Sequence, residues 1–412
     1  MKQVRISILL AFVCALVVGT QVFGADQVTL RMWEHTPQYE DSTLAVIKEF
    51  MKANPDIKIE LEVKTPDQYY NLLSTAIQSG DAPDIFWANG TKDTLLQNLV
   101  KMGGPMDLTG KIDLPGYDKM ATDILYINGK LWQTPGAAIG TRAVYYNQEI
   151  FNKYKLNVPT TFAELEQICE TLKSQGVTPI SFGGRLSWAV LFTFEPIISA
   201  ISSDWLDDAA QGKAKLSDPR LLAAFNKFDE WAQKGYFGKN YAGVDEGAML
   251  LNFSKGNAAM CITGSWNTET FNKNNPDLKL GAFQMPMAKG GRAMVVTYST
   301  GYCAFAKTKY PDQVLRFLKF AVTPEAQQIL VTVQGEIPGM KGLKAKNELI
   351  QSVGTADKQV ESLYNILGFW PKEGKNPRKI WEEDCTKWVS GSLTAKDFIA
   401  ELEAAIDYSK IK

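Results

Sequence analysis

Between Val28 and Trp87 the apolar period of the chain switches four times, and this alternation restricts the fold more than any other feature. Val28-Thr29-Leu30-Arg31-Met32-Trp33 alternates as a strand does. Leu44, Ile47, Phe50 and Met51 then recur at helical spacing until Asn54-Pro55 stops them. Ile57, Ile59, Leu61 and Val63 alternate with Lys58, Glu60, Glu62 and Lys64, the pattern of a half-buried strand. Helical spacing returns through Tyr69, Leu72, Leu73, Ala76 and Ile77, and Gly80-Asp81-Ala82-Pro83 turns the chain into Ile85-Phe86-Trp87. A β-α-β-α-β order predicts an α/β fold, a parallel doubly wound sheet with helices on both faces. Ligands of such sheets gather at the carboxyl ends of the strands, which puts Trp33 to Thr36 and Trp87 to Gly90 at one edge.

At 412 residues and 45% hydrophobic content the chain is long enough for two cores, so two lobes are expected. Asn128-Gly129 between short apolar pairs reads as a tight hairpin. Gly136 to Lys153 follows, with small residues in front and the strand-forming Ala143-Val144-Tyr145-Tyr146 behind. It reads as a strand crossing from one lobe to the other, with Tyr145 and Tyr146 packing between them. Thr161-Phe162-Ala163-Glu164 is a capping box that opens the second lobe. Phe253 to Ile262 leads a helix through a turn into a strand, and Gly264-Ser265-Trp266 sits at that strand's carboxyl end. Val295 to Ala306 and Gln334 to Gly339 read as two further crossings. The expected division is 25–138 with 295–333 as the first lobe and 139–294 with 334–412 as the second, crossing near residues 139, 294 and 334.

Gly136-Ala137-Ala138, four variable residues, Ala143-Val144-Tyr145-Tyr146-Asn147, then Phe151 and Lys153 fill every position of a known pattern. It resembles the signature of the family 1 extracellular solute-binding proteins of ABC importers, relatives of the maltose-binding protein, and the likeness extends over nearly all of the chain after its leader. The resemblance implies a two-lobed periplasmic-binding-protein-like fold, a carbohydrate ligand in the cleft, hinge closure, and a membrane permease as partner. It also implies ligand contacts from the turn after the first strand, the turn after the Pro-Asp-Ile strand, and the Gly-Ser-Trp turn.

Lys2 and Arg5 precede an apolar run, Ile6 to Val18, that is short for a membrane span of roughly 20 residues and suits a signal peptide. Cleavage is expected after Gly24, or after Ala25, giving an exported protein, periplasmic or extracellular. Cys14 lies inside the apolar run behind Val13, where a lipid-attachment motif needs a small residue, so no lipid anchor is expected. Cys169, Cys261, Cys303 and Cys385 remain; they form no C-x-x-C pair, and buried free thiols are expected, although export permits a bridge. A formal charge of −1 without a basic run disfavours nucleic acid. A monomer is expected.

His35 is the one histidine, which excludes histidine-rich metal sites, and there is no G-x-S-x-G elbow, P-loop, G-x-G-x-x-G after a strand, or H-E-x-x-H. No cofactor, metal or catalytic residue is therefore assigned. What stands out is tryptophan at strand ends and turns: Trp33, Trp87, Trp188, Trp266 and Trp370. An indole covers the C–H face of a pyranose while neighbouring amides and carboxylates bond its hydroxyls. Glu34, His35, Thr36 and Gln38 follow the first strand, Asn89 the third, Asp245 and Glu246 precede the Phe253 segment, and Arg185 shares a turn with Trp188. Against this, tryptophan is first of all a core residue. Trp266 ranks first and Trp87 second as ligand contacts, Trp370 is preferred to Trp381, and Glu195 reads as a buried helix residue rather than a rim acid. Two other readings stay open: a secreted glycoside-acting enzyme using Glu34 with Asp245 or Glu246, and the same fold holding another polar solute such as a polyamine.

Overall fold

The structure is a computed structural model that describes residues 27–35, 39–64, 66–92 and 95–411. The leader, its cleavage site and Cys14 lie outside the described residues, as do Thr36 and Gln38.

The first lobe is built as the alternation predicts. Strands β1 (Val28–Glu34), β2 (Ile57–Val63) and β3 (Ile85–Trp87) are parallel, with the helices Glu40–Ala53 and Pro66–Ser79 between them. Leu30, Met32, Ile59, Ile85 and Phe86 from the sheet pack with Val46, Ile47 and Phe50 from the first helix. The hairpin of β4 (Tyr126–Ile127) and β5 (Lys130–Leu131) turns through Asn128 at φ 53° and Gly129 at φ 75°, the left-handed pair that a two-residue hairpin loop needs.

The second sheet grows around the long strand β6 (Pro135–Asn147), which pairs along its back half with β8 (Ala258–Gly264) and β9 (Leu280–Phe283), while β7 (Thr178–Ser181) adds to β8. Its front half pairs with β10 (Ala293–Thr300). The core of this lobe is organised by the helix Ser187–Ala210, whose Phe194 lies among Phe225, Phe228, Trp381 and Trp388. That helix is long and apolar enough to cross a membrane, but 83% of its most apolar window is buried in the lobe, as a core helix is. The capping box is present: Thr161 Oγ1 accepts from Glu164 N–H, and Glu164 accepts from Thr161 N–H. Tyr145 and Tyr146 do not pack between lobes. Tyr145 is buried against Phe271 with its hydroxyl on Thr268, and Tyr146 packs on Phe151 and Phe283, because β6 lies deep inside the second lobe by that point.

Three strands meet where the lobes join. Ile139 of β6 faces Tyr298 of β10 on one side and Ile337 of β12 (Ile337–Pro338) on the other. The second crossing comes later than residue 294. β10 stays in the second sheet to Thr300, pairing with β6 and with β13 (Lys358–Glu361), and only β11 (Tyr302–Ala304) joins the first sheet, antiparallel to β3. The β-branched run Val295-Val296-Thr297 prolongs the strand, and Gly301 is the link. A Cβ there would lie 2.3 Å from Thr134 Oγ1 and 2.6 Å from the Pro135 carbonyl oxygen, so only glycine fits the close approach. All four cysteines of the described chain are buried and free.

Candidate functional site

In β10, Thr297 and Ser299 are half-exposed while Val296, Tyr298 and Thr300 are buried, so the two hydroxyl residues share one open face. Thr297 Oγ1 donates to the Gly140 carbonyl at 3.3 Å, and Ser299 Oγ accepts from Ala138 N–H at 2.8 Å and donates to its carbonyl at 2.9 Å. The result is a floor of small and hydroxylic residues along the crossing strands, with an aromatic wall from each lobe at its ends.

The first wall carries Trp87, whose indole N–H donates to the Thr300 carbonyl at 3.2 Å and which borders a narrow cavity with Gly136 and Ser299. Trp87 is not the open platform expected of it. It is 7% exposed, and the His35 imidazole lies parallel on it with centroids 3.5 Å apart, with Tyr70 parallel to His35 at 6.4 Å. Tyr69 meets the stack edge-on and donates its hydroxyl to the Trp87 carbonyl at 2.7 Å. Glu34 is buried below, accepting from Tyr302 OH at 3.0 Å and from His35 N–H at 2.8 Å. Trp33 alternates with the buried Met32 and Glu34 and so lies on the other face of β1, under the Lys64 ammonium at 4.6 Å. Asn89 is half-buried in the turn after β3. That turn is pinned by Gln133, which donates to the carbonyls of Ala88 and Gly301 and accepts from Gly90 N–H.

The second wall is Trp266, half-buried in the turn after β8. A Cβ on Gly140 would sit 3.0 Å from its ring and one on Gly264 2.1 Å from it, so both glycines are needed for the indole to lie flat on the crossing strand. Phe192 meets it edge-on at 4.9 Å, Trp188 lies 6.0 Å beyond Phe192, and Tyr364 packs 4.7 Å from Trp188. Trp188, 41% exposed, is the most open indole of this strip. Beneath it, Arg142 of β6 and Glu195 of the core helix form a fully buried ion pair, Nε to Oε2 at 2.8 Å, too bent to count as a linear hydrogen bond. The guanidinium carbon stands 4.9 Å from the Phe192 ring centroid and 5.4 Å from that of Trp266. Burial pulls Arg142 below the ordinary arginine pKa although Glu195 pushes the other way.

Glu246 lies behind the Trp266 turn, where it accepts from Asn267 at 3.2 Å; burial raises its carboxyl above the usual carboxylate range against that bond. Asp245 caps the helix Glu246–Ser254 through Ala248 N–H at 2.8 Å and lies 3.5 Å from Arg185, an exposed pair at the rim. Trp370 belongs elsewhere. It pairs with Phe369, its carbonyl accepts from Asp407 N–H, and Pro371 bridges to Ile406, so it packs with the C-terminal segment, while Trp381 is wholly in the core.

The structure thus gathers Glu34, His35, Trp87 and Asn89 at one end of the floor and Trp188, Trp266, Arg185, Asp245 and Glu246 at the other. Sequence reasoning did not single out Tyr70, Phe192, Tyr364, Arg142, Thr297, Ser299 or Glu336. Glu336, in the third crossing, is buried against Tyr39, and burial lifts its carboxyl to about 7. Only the half-polar alternation of Thr297 and Ser299 was a signal that could have been used.

The model of the bacterial extracellular solute-binding protein family matches residues 36–328. The chain is 26% identical over 338 residues to a multiple sugar-binding protein of Streptococcus mutans, covering 79% of each. It is 27% identical over 318 residues to an uncharacterized ABC transporter extracellular-binding protein of Pyrococcus horikoshii, covering 73% of this chain and 69% of the other. Its fold is similar to that of a chitin oligosaccharide binding protein, with a TM-score of 0.75 at 23% identity, over 92% of this chain and 98% of that one.

Proposed function

The chain belongs to the bacterial extracellular solute-binding proteins, and from that premise we propose that it captures a carbohydrate between its lobes and hands it to the membrane permease of an ABC importer. The observation that carries this reading is the shared floor. Trp266 of one lobe and the His35–Trp87 stack of the other border the same hydroxyl-bearing face of the crossing strands, a flat apolar surface at each end with Thr297 and Ser299 between. Sugars present C–H faces and hydroxyl rims, which this combination matches. A ligand that touches both walls favours the closed arrangement by its extra contacts there, and that differential affinity drives closure. We assign the described residues of 27–138 with 301–333 to the first lobe and 139–300 with 334–411 to the second, with the leader directing export and the protein acting as a monomer.

Binding without turnover is supported by the carboxylates themselves. Glu34 is buried under Tyr302 and His35, Asp245 is engaged as a helix cap facing Arg185, and Glu246 is held by Asn267. A thermal-shift panel of mono-, di- and trisaccharides with spermidine as comparison tests the reading, because a ligand that selects the folded state raises the melting point by mass action. A selective shift with one sugar class and no new reducing ends after prolonged incubation is the expected result. A shift with spermidine alone, or reducing ends released from an oligosaccharide, would overturn it.

A further inference from the structure

A buried ion pair is on average no more stabilising than a well-packed apolar replacement, so the pair under the aromatic strip asks for a reason beyond fold stability. Arg142 stands where four parts meet. Its Nε faces Glu195 of the core helix, its Nη1 donates to Thr297 Oγ1 of the second crossing strand at 3.2 Å, and its planar group lies against both Phe192 and Trp266. It is itself part of the first crossing strand, two residues beyond the Gly140 on which the Trp266 ring rests. Glu195 is anchored in turn by Ser362 Oγ at 2.6 Å. A lysine ammonium reaches one carboxylate as a point charge, whereas the fixed fork of the guanidinium lets one side chain face Glu195, donate to Thr297 and hold its charge 4.9 and 5.4 Å from the centroids of two nearly perpendicular rings, which is the property the position uses.

We propose that Arg142 is a positioning residue: its guanidinium clamps the Trp266 indole to the crossing strands, so that the second-lobe platform and the hinge turn as one body. The consequence for affinity rests on the carbohydrate reading; the clamp itself does not. Two variants separate its parts. Arg142→Lys keeps a charge for Glu195 and loses the fork, and the double variant Arg142→Met with Glu195→Met removes both charges at similar volume, which tolerates burial if the lysine variant does not fold.

The protein is labelled with 5-fluorotryptophan, and the Trp266 fluorine signal is assigned with Trp266→Phe. In ligand-free wild type we expect one sharp Trp266 resonance. In either folded variant that signal should move and broaden or split, while those of the core residues Trp205, Trp231 and Trp381 stay in place. With raffinose, maltotriose and chitotriose as probes, either variant should weaken binding at least about tenfold, but only about twofold in a Trp266→Ala background, because a residue acting through another does not add to its loss. A sharp, unmoved Trp266 resonance in a folded variant overturns the clamp, whether or not any sugar binds. An affinity loss that persists in full without Trp266 overturns its action through that ring. If wild type binds none of the probes, the carbohydrate reading fails and the fluorine signal still decides the clamp.

Discussion

Replacing Trp266 by alanine separates what the indole does for the fold from what it does for a ligand. The ring is half-buried, lies over Gly140 and Gly264 and meets Phe192 at 4.9 Å. Truncating a fully buried tryptophan costs about 3–5 kcal/mol, so a half-buried one should cost about 2 kcal/mol. In a chain of this size that lowers Tm by about 2 °C. For the ligand, loss of one stacking face should cost about 2 kcal/mol, or about 30-fold in Kd. At a sugar concentration about 1,000 times the wild-type Kd, mass action stabilises wild type by about 4 kcal/mol and the variant by about 2 kcal/mol. The sugar-induced rise in Tm is therefore expected to fall to about half that of wild type, and to about a third at tenfold less sugar. Thermal melts of both proteins with and without sugar at the two concentrations read this directly. An undiminished rise in a variant whose ligand-free Tm has dropped would refute the argument and make Trp266 a packing residue only.

Glu336 is an acid whose pKa rises on folding, from 4.5 to about 7, so the folded state holds the proton more tightly than the unfolded one. Its contribution is most favourable below the unfolded pKa, declines as pH climbs through that window, and levels off above about 7 at a cost of about 3 kcal/mol. Glu336→Gln should abolish that decline relative to wild type and be the more stable protein at pH 8 by urea titration; equal stabilities at pH 8 would count against a buried, raised carboxyl. Glu195→Ala leaves the Arg142 charge buried without its partner and should cost about 3–5 kcal/mol, read as a fall in the urea midpoint, whereas the paired methionine variant should recover most of it. The buried thiols of Cys169, Cys261, Cys303 and Cys385, all pushed up by burial, Cys385 to about 12, should be silent to a thiol reagent in the native protein and all react in denaturant; fast native labelling of any would show local opening.

The first lobe was largely legible because its elements are encoded locally. The alternation from Ile57 to Val63 and the helical spacing through Leu73 and Ile77 fall on observed elements, and Asn128-Gly129 carries its turn chemistry in two residues, as Thr161 to Glu164, at the entry to the second lobe, carries its cap in four. Where the chain passes from the second sheet to the first after β10 was not legible, because strand-forming residues run on to Thr300 and composition does not say which sheet a strand joins. The candidate site was legible where a tryptophan ends a strand, as Trp87 does, or sits in the turn just after one, as Trp266 does. It was not legible where its parts come from distant positions: Tyr364 packs on Trp188, and Glu195 meets Arg142, with nothing in either neighbourhood to announce the partner. Trp370 shows the converse, a proline-flanked indole whose neighbour turned out to be the chain's own C-terminal segment.

The lacing of three strands at Ile139 limits how the halves of this molecule can part. A single connecting strand could swivel, but three hydrogen-bonded side by side resist twist and flex about one line, in the manner of a thin web moulded between two stiff plates. The stiffness of such a web sets what any parting of the halves costs. Substitutions there, touching no guest at all, are expected to change capture strength by making the parted shape cheaper or dearer to hold.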